Sequence, residues 1–95
     1  LISPNRIEYV LADRRGCRVF SDGQWLRINE SLSSLASRLP GRQFVQASRF
    51  AVVNLDHIVS IQAKSHGDHV VELRDGVEVT LSRTRRAELY SRLGR

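Results

Sequence analysis

Arginine carries most of the chemistry open to this chain, and it is concentrated at three places. Arg14 and Arg15 stand before Gly16. Arg49 interrupts the most apolar stretch, Phe44 to Ile61. Arg83, Arg85 and Arg86 lie near the C-terminus. A guanidinium is a planar fork of fixed charge that can donate two hydrogen bonds to one phosphate or one guanine edge. Fifteen basic residues against ten acidic ones leave a net charge of +5, and every cation except Lys64 is arginine. That balance suits a polyanion, either nucleic acid or an anionic membrane surface. A solvated basic face with no such partner is the plainer reading. Arg49 is the most informative of the cations, because an unpaired charge is costly to bury in an apolar segment. It is either exposed to a partner or paired with a carboxylate. Arg83, Arg85 and Arg86 fall at the start of the last predicted helix, where cations oppose the macrodipole unless an anion is near.

Enzyme chemistry is poorly supported. His57, His66 and His69 do not form a ligand set, since His66 and His69 flank a turn at Gly67 and no cysteine is near in sequence. Cys17 has arginine neighbours that could lower its thiol pKa, but no base or orienting group accompanies it. A small strand cysteine is the better reading. Glu72 and Glu78 belong to facing strands and read as a solvated face. The two Asp-Gly pairs are hairpin signals rather than phosphate loops. The residues therefore call for no catalytic group, cofactor, metal or small-molecule substrate.

The elements that must position the arginines are short. Residues 1–5 read as a linker end, and 6–95 as a single domain. Ile7, Tyr9 and Leu11 alternate with Glu8 and Val10, as in a strand. Cys17 to Phe20 and Gln24 to Ile28 follow as strands around Asp22-Gly23, with Trp25 as the largest apolar anchor. Leu32, Leu35, Ala36 and Leu39 recur at helical spacing. Asn29 or Ser31 can cap that short helix, and Pro40-Gly41 stops it. Further strands are expected at Gln43–Ala47, Ile58–Lys64, His69–Arg74 and Val77–Leu81, the last two joined at Asp75-Gly76. Ser82 or Thr84 can cap a final helix that buries Leu89, Tyr90 and Leu93. Strand spacings of this kind favour an all-β sandwich or barrel over alternating strand–helix units. No apolar run is long enough to span a membrane. The lone cysteine excludes a disulfide framework and fits a reducing compartment. Because the chain opens on Leu1 rather than Met, it is expected to be a piece of a longer protein.

The central stretch resembles the LytTR-type DNA-binding domain of bacterial transcription regulators. That family's motif, Phe-x-Arg-x-His-Arg-Ser-x-x-Val-Asn-x-x-x-Ile, is met here by Phe44, Arg49, Val53, Asn54 and Ile58 without a gap. The closing Val71-Glu72-Leu73-Arg74-Asp75-Gly76 and Val79-Thr80-Leu81-Ser82-Arg83 look like its last hairpin and Ser-Arg signature. The opening Ile7-Glu8-Tyr9-Val10 and the helix near Leu32 fall in order. The resemblance covers nearly the whole chain. It departs at three positions: Gln46 stands for the motif's first Arg, Ser48 for its His and Phe50 for its Ser.

The resemblance implies a mainly β fold, an elongated arrangement of small antiparallel sheets with one short internal helix and a C-terminal helix. It implies sequence-specific binding of double-stranded DNA by loops and strand ends rather than by a recognition helix. Three places would enter the major groove or grip the backbone. They are matched here by Arg14, Arg15 and Cys17; by Ser48, Arg49 and Phe50; and by Ser82 and Arg83. On this reading Arg49 and Arg83 take base edges, with Arg15 a third, while Ser48 reaches a phosphate or a nearby edge. Arg14, Arg85 and Arg86 hold phosphates, with Arg42 and Lys64 further out. Phe50 is expected to turn inward as core, the alternative being an apolar contact with a thymine methyl. Asn54 is expected to hold a turn. The resemblance further implies adjacent DNA repeats bound by two copies, a receiver or other sensory domain ahead of this one, and a cytoplasmic protein associated with the nucleoid when bound. A membrane tether elsewhere in the parent chain is compatible with it. A β-rich interaction module with a basic face for an acidic protein is the other reading that the charge allows.

Overall fold

The computed structural model describes residues 3–94. After a single 3-10 turn at Pro4–Arg6, eight strands and two short helices follow: β1 (Ile7–Asp13), β2 (Gly16–Ser21), β3 (Gln24–Ile28), α1 (Leu32–Ala36), β4 (Phe44–Ser48), β5 (Ala51–Asn54), β6 (Ile58–Ala63), β7 (His69–Leu73), β8 (Glu78–Leu81) and α2 (Arg86–Arg92). The first five strands form one antiparallel sheet in the order β3-β2-β1-β5-β4, and the last three form a second, β6-β7-β8. The molecule is elongated, 36 × 25 × 23 Å.

Alternating side chains give the larger sheet two apolar faces, and each is covered. On one face Tyr9, Val45, Ala47, Ala51 and Val53 meet Val71, Leu73, Val79 and Leu81 of the smaller sheet, and Leu89 of α2 closes the cluster. On the other, Ile7, Val10, Cys17, Val19, Phe44 and Val52 lie under Leu32 and Leu35 of α1. Each fully buried Val or Leu contributes ~1.5–3 kcal/mol. The layers are therefore helix, five-stranded sheet and three-stranded sheet.

Both Asp-Gly pairs form hairpin turns: Asp22 and Gly23 both take positive φ, and Gly76 does so at the β7–β8 turn. Ser31 rather than Asn29 caps α1, its Oγ accepting from Ser34 N–H. This helix is shorter than expected, because Arg38 and Leu39 bond back to carbonyls only three residues away and tighten the chain into turns. Glu72 and Glu78 stand directly opposite each other. Lys64 lies 3.3 Å from Glu78, and Glu72 accepts from Ser60 and Gln62, which offsets the repulsion.

Three expectations are corrected. The simple alternation of Ile7, Tyr9 and Leu11 breaks at a register shift between Ile7 and Tyr9, a bulge that sends Ile7 to the α1 face with Val10. Trp25 is not an anchor: it lies on edge strand β3 and is 54% exposed, with Arg18 and Arg27 over its ring. In α2, only Leu89 is fully buried, while Tyr90 and Leu93 are half-buried.

Asn54 ties the larger sheet to the chain that leaves it. Its side chain is fully buried, donating through Nδ2 to Ile7 O at 2.8 Å and accepting at Oδ1 from Asp56 N–H at 2.9 Å. It therefore fixes the 3-10 turn at Leu55–His57 that leads into the second sheet. Asn54→Ala leaves a buried carbonyl and an N–H without partners and is expected to destabilise the domain by about 2–3 kcal/mol. Urea unfolding measures this, and a midpoint equal to wild type would show that the turn does not depend on Asn54.

Candidate nucleic-acid interface

The basic tip is built from turns. Strand β1 pairs antiparallel with both β2 and β5, so the turns that follow β1 and precede β5 lie at the same end of the sheet. The first turn is Arg14-Arg15, between the paired residues Asp13 and Gly16. Gly16 is required there: its φ is +135°, and a Cβ would lie 2.3 Å from Ile28 O. The Asp13 carboxylate accepts from Arg15 N–H at 2.9 Å and from Arg27 at 2.6 Å, with Arg18 Nε 3.7 Å away. The Arg15 N–H is the main reason that the Asp13 carboxyl is held below its ordinary pKa. It outweighs an opposite push from burial, and the Arg27 and Arg18 charges add to it. Arg14 and Arg15 project exposed from this braced turn.

The second turn is Arg49-Phe50, between β4 and β5. The Ser48 Oγ accepts from Phe50 N–H at 3.1 Å, and the Phe50 carbonyl accepts from Ala12 N–H at 2.8 Å. Arg49 is exposed, with its guanidinium 4.8 Å from the centre of the Phe50 ring. Phe50 is 56% exposed, so the expectation of a core position is wrong. A two-residue turn has no interior to bury it in, and the core positions beside it are taken by Ala47 and Ala51.

The third turn follows β8. Ser82 N–H donates to Ala47 O at 2.8 Å, which draws the end of β8 against the end of β4. Arg83 is exposed in the 3-10 turn Arg83–Arg85. A cleft of about 560 Å³ runs from Arg49 and Phe50 past Thr80 and Ser82 to Thr84 and Arg85. A second cleft joins Arg49 and Phe50 to Arg14 and Arg15. The three basic points thus share one end of the molecule, with Arg49-Phe50 as the ridge between two clefts.

Ion pairing separates the cations. Arg6, Arg18, Arg27, Arg38, Lys64, Arg85 and Arg92 each lie within 4.0 Å of a carboxylate. Among the described residues Arg14, Arg15, Arg49 and Arg83 do not, and neither do Arg42, Arg74 and Arg86. Arg42 stands before the start of β4, at the opposite end of that strand from Arg49, and Arg74 is at the β7–β8 turn. Arg86 is engaged internally, donating to Gly67 O at 2.8 Å.

Several expected contacts are therefore placed differently. Cys17 is fully buried and its Sγ donates to Glu30 O at 3.5 Å, so its side chain is not on the surface. Burial pushes the thiol pKa up, and Glu30 and Asp13 add to the shift, so the neighbouring arginines do not activate it. Ser48 is buried and its Oγ braces the turn. Ser82 is half-buried with its Oγ 3.3 Å from Thr84 Oγ1, and neither hydroxyl caps the following turn. Arg85 is 3.9 Å from Glu88, which supplies the anion expected near the start of α2. Lys64 is paired with Glu78.

Among the described residues no three His, Cys, Asp or Glu side chains are grouped as a metal would need. No described helix is long and apolar enough to cross a membrane.

The family model described as the LytTr DNA-binding domain matches residues 1–94. The chain belongs to the LytTr DNA-binding domain family. It is 29% identical over 94 residues to the Sensory transduction protein LytT of Enterococcus faecalis, covering 99% of this chain and 39% of that protein. It therefore spans well under half the length of that relative. A solved LytTr DNA-binding domain from Bacillus cereus superposes with a TM-score of 0.87 at 21% identity, over 99% of this chain and 86% of that one. The mainly β, two-sheet LytTr fold is thereby shown.

Sequence reasoning missed one part of the tip of this LytTr domain. The 3-10 turn Ser65–Gly67 reaches the third basic point: Arg86 holds its Gly67 carbonyl, and Arg83 Nη2 is 3.6 Å from where a Gly67 Cβ would be. His66, exposed at a φ of +65°, is carried there with it. Its distance in sequence from Arg83 hides this; the pairing of His69 with Leu81 is what brings them together.

Two outcomes follow from the braced turn. A carboxyl whose pKa is lower in the folded state stabilises the fold above its unfolded pKa, and the stabilisation fades as pH falls through the folded value. Asp13→Asn should therefore be less stable than wild type at pH 7, with the gap closing as acid protonates Asp13. Urea midpoints across pH measure it, and a gap independent of pH would refute the charge argument. The Cys17 thiol should react with a disulfide reagent only as fast as the domain opens; rapid labelling of the native protein would contradict its burial.

Proposed function

We propose that this LytTr domain binds double-stranded DNA sequence-specifically, as the output module of a bacterial transcription regulator, with its three turns facing the major groove and flanking phosphates. Arg49 takes a base edge from the central turn and Arg83 from the third, with Arg15 as a further reader. Arg14 contacts phosphate, and Arg85 joins it by exchanging its surface-exposed partner Glu88 for the nucleic acid. The observation that carries this reading is the split in ion pairing. Four cations without a carboxylate partner among the described residues, Arg14, Arg15, Arg49 and Arg83, stand at the turns that the fold gathers at one end. A guanidinium left unpaired on a surface built to hold it in place is ready for an external anion or a guanine.

Arg86 is reassigned to holding the Ser65–Gly67 turn. Arg42, at the other end of β4, is left out of the contact set. In the parent chain, a receiver or other sensory domain accompanies this one, and two copies occupy adjacent repeats. The relative's name, a sensory transduction protein, and its greater length support the first of these. The cytoplasm is the compartment in which a regulator of this kind acts.

Duplexes selected from a random library provide the probe. On the selected site Arg49→Ala should cost ~1–3 kcal/mol and relax one base position. Arg14→Ala should weaken all duplexes alike and reduce the log–log salt slope by about one. Arg86→Ala should leave that slope unchanged. Fluorescence anisotropy across salt concentrations measures all three. Unaltered affinity in Arg49→Ala would remove the central contact, and the absence of salt-dependent duplex binding by wild type would favour an acidic protein as partner.

A further inference from the structure

We propose that Phe50 is a specificity residue that recognises the 5-methyl group of a pyrimidine next to the guanine taken by Arg49. The inference deepens the DNA-binding reading above and rests on it. Single exposed apolar side chains are common and need no explanation. Phe50 differs because its backbone is held on both sides while its ring, 56% exposed, is left in solvent. Ser48 Oγ accepts its N–H and Ala12 N–H donates to its carbonyl. A ring carried on a fixed backbone has only its two side-chain torsions to lose when it docks, so much of its contact area goes into binding.

Its neighbours define what it would meet. The Arg49 guanidinium lies 4.8 Å from the ring centre. A guanidinium held over a ring by the ring's quadrupole spends none of its N–H groups on that contact, so they stay available to a base edge. On the cleft side the ring continues an apolar wall that includes Leu11, Ala51 and Val79. The turn therefore presents a donor fork and an apolar edge side by side. In the major groove the edges of guanine, adenine and cytosine offer hydrogen-bonding atoms, and the one apolar group is the methyl on C5 of thymine. A phenyl ring carried there has that methyl as its complement. In 5-methylcytosine the same carbon bears the same group, so the chemistry shared by both bases is a 5-methylpyrimidine. The serine found at this position in the family motif cannot supply that apolar surface.

The test uses the whole domain and its selected duplex, with thymine replaced by uracil one position at a time. This deletes only the methyl. For wild type, one replacement beside the position relaxed by Arg49→Ala should weaken binding about three- to fivefold, the value of one buried methyl. Phe50→Ser should bind thymine and uracil duplexes equally. Its urea midpoint should match wild type, since the ring packs little. With cytosine at that position, 5-methylation should restore affinity to wild type by a similar factor and leave Phe50→Ser unaffected; restoration by thymine alone would assign the contact to thymine. Equal affinity of wild type for thymine and uracil throughout, or the same loss in Phe50→Ser, would overturn the inference while leaving DNA binding intact. Failure of wild type to select any sequence would overturn both, and that outcome is visible before any base is replaced.

Discussion

Two main-chain hydrogen bonds hold the functional end of this domain together. Ala12 N–H reaches Phe50 O beside the first turn, and Ser82 N–H reaches Ala47 O beside the third, both at 2.8 Å. Each ties a segment distant in sequence to the β4–β5 hairpin. Removing either would let the ends of the turns fray from the hairpin, so that their exact positions would have to be fixed at the moment of binding, at the cost of conformational entropy. With both in place, the hairpin acts as a central post with a turn lashed to each side. The two apolar layers support the post from beneath, through Val45, Ala47, Ala51 and Val53 on one face and Phe44 and Val52 on the other.

Charge is organised on the same plan. Acidic residues are used to immobilise cations that brace structure. Asp13 draws in Arg18 and Arg27, and Glu30 draws in Arg38. Even at the first turn the carboxylate serves the backbone N–H of Arg15 rather than its guanidinium. An arginine there can be positioned by its main chain while its side chain keeps full donor capacity. The net charge alone does not convey this. It depends on which cations have been neutralised at home and which have not.

Much of the architecture was legible because it rests on local rules. Asp-Gly pairs mark hairpins through their need for positive φ, and period-two alternation marks the strands. Spacing in the Phe44 to Ile58 stretch placed Arg49 at the centre and Asn54 at a turn. What escaped depends on register between distant strands. The bulge near Ile7 reverses which residues share a face, and no local pattern announces it. Trp25 read as core from its size, but it lies on an edge strand with no neighbour beyond it. Phe50 read as core from its apolar surroundings, although the chain reverses at that residue. Arg86 read as a phosphate ligand from its neighbours in sequence, while its partner Gly67 comes from another hairpin.

The frame around the central turn uses almost nothing of the side chains that it displays. The groups that fix residues 49 and 50 are the Ser48 hydroxyl, the Gln46 amide that donates to Ser48 O, and otherwise the main chain. Such a mount tolerates exchange of its displayed residues, because a new pair of side chains inherits the same position without refolding what lies beneath. Divergence of recognition among copies of this domain can then proceed by single substitutions at the ridge, each changing what is read without a stability debt to be repaired elsewhere.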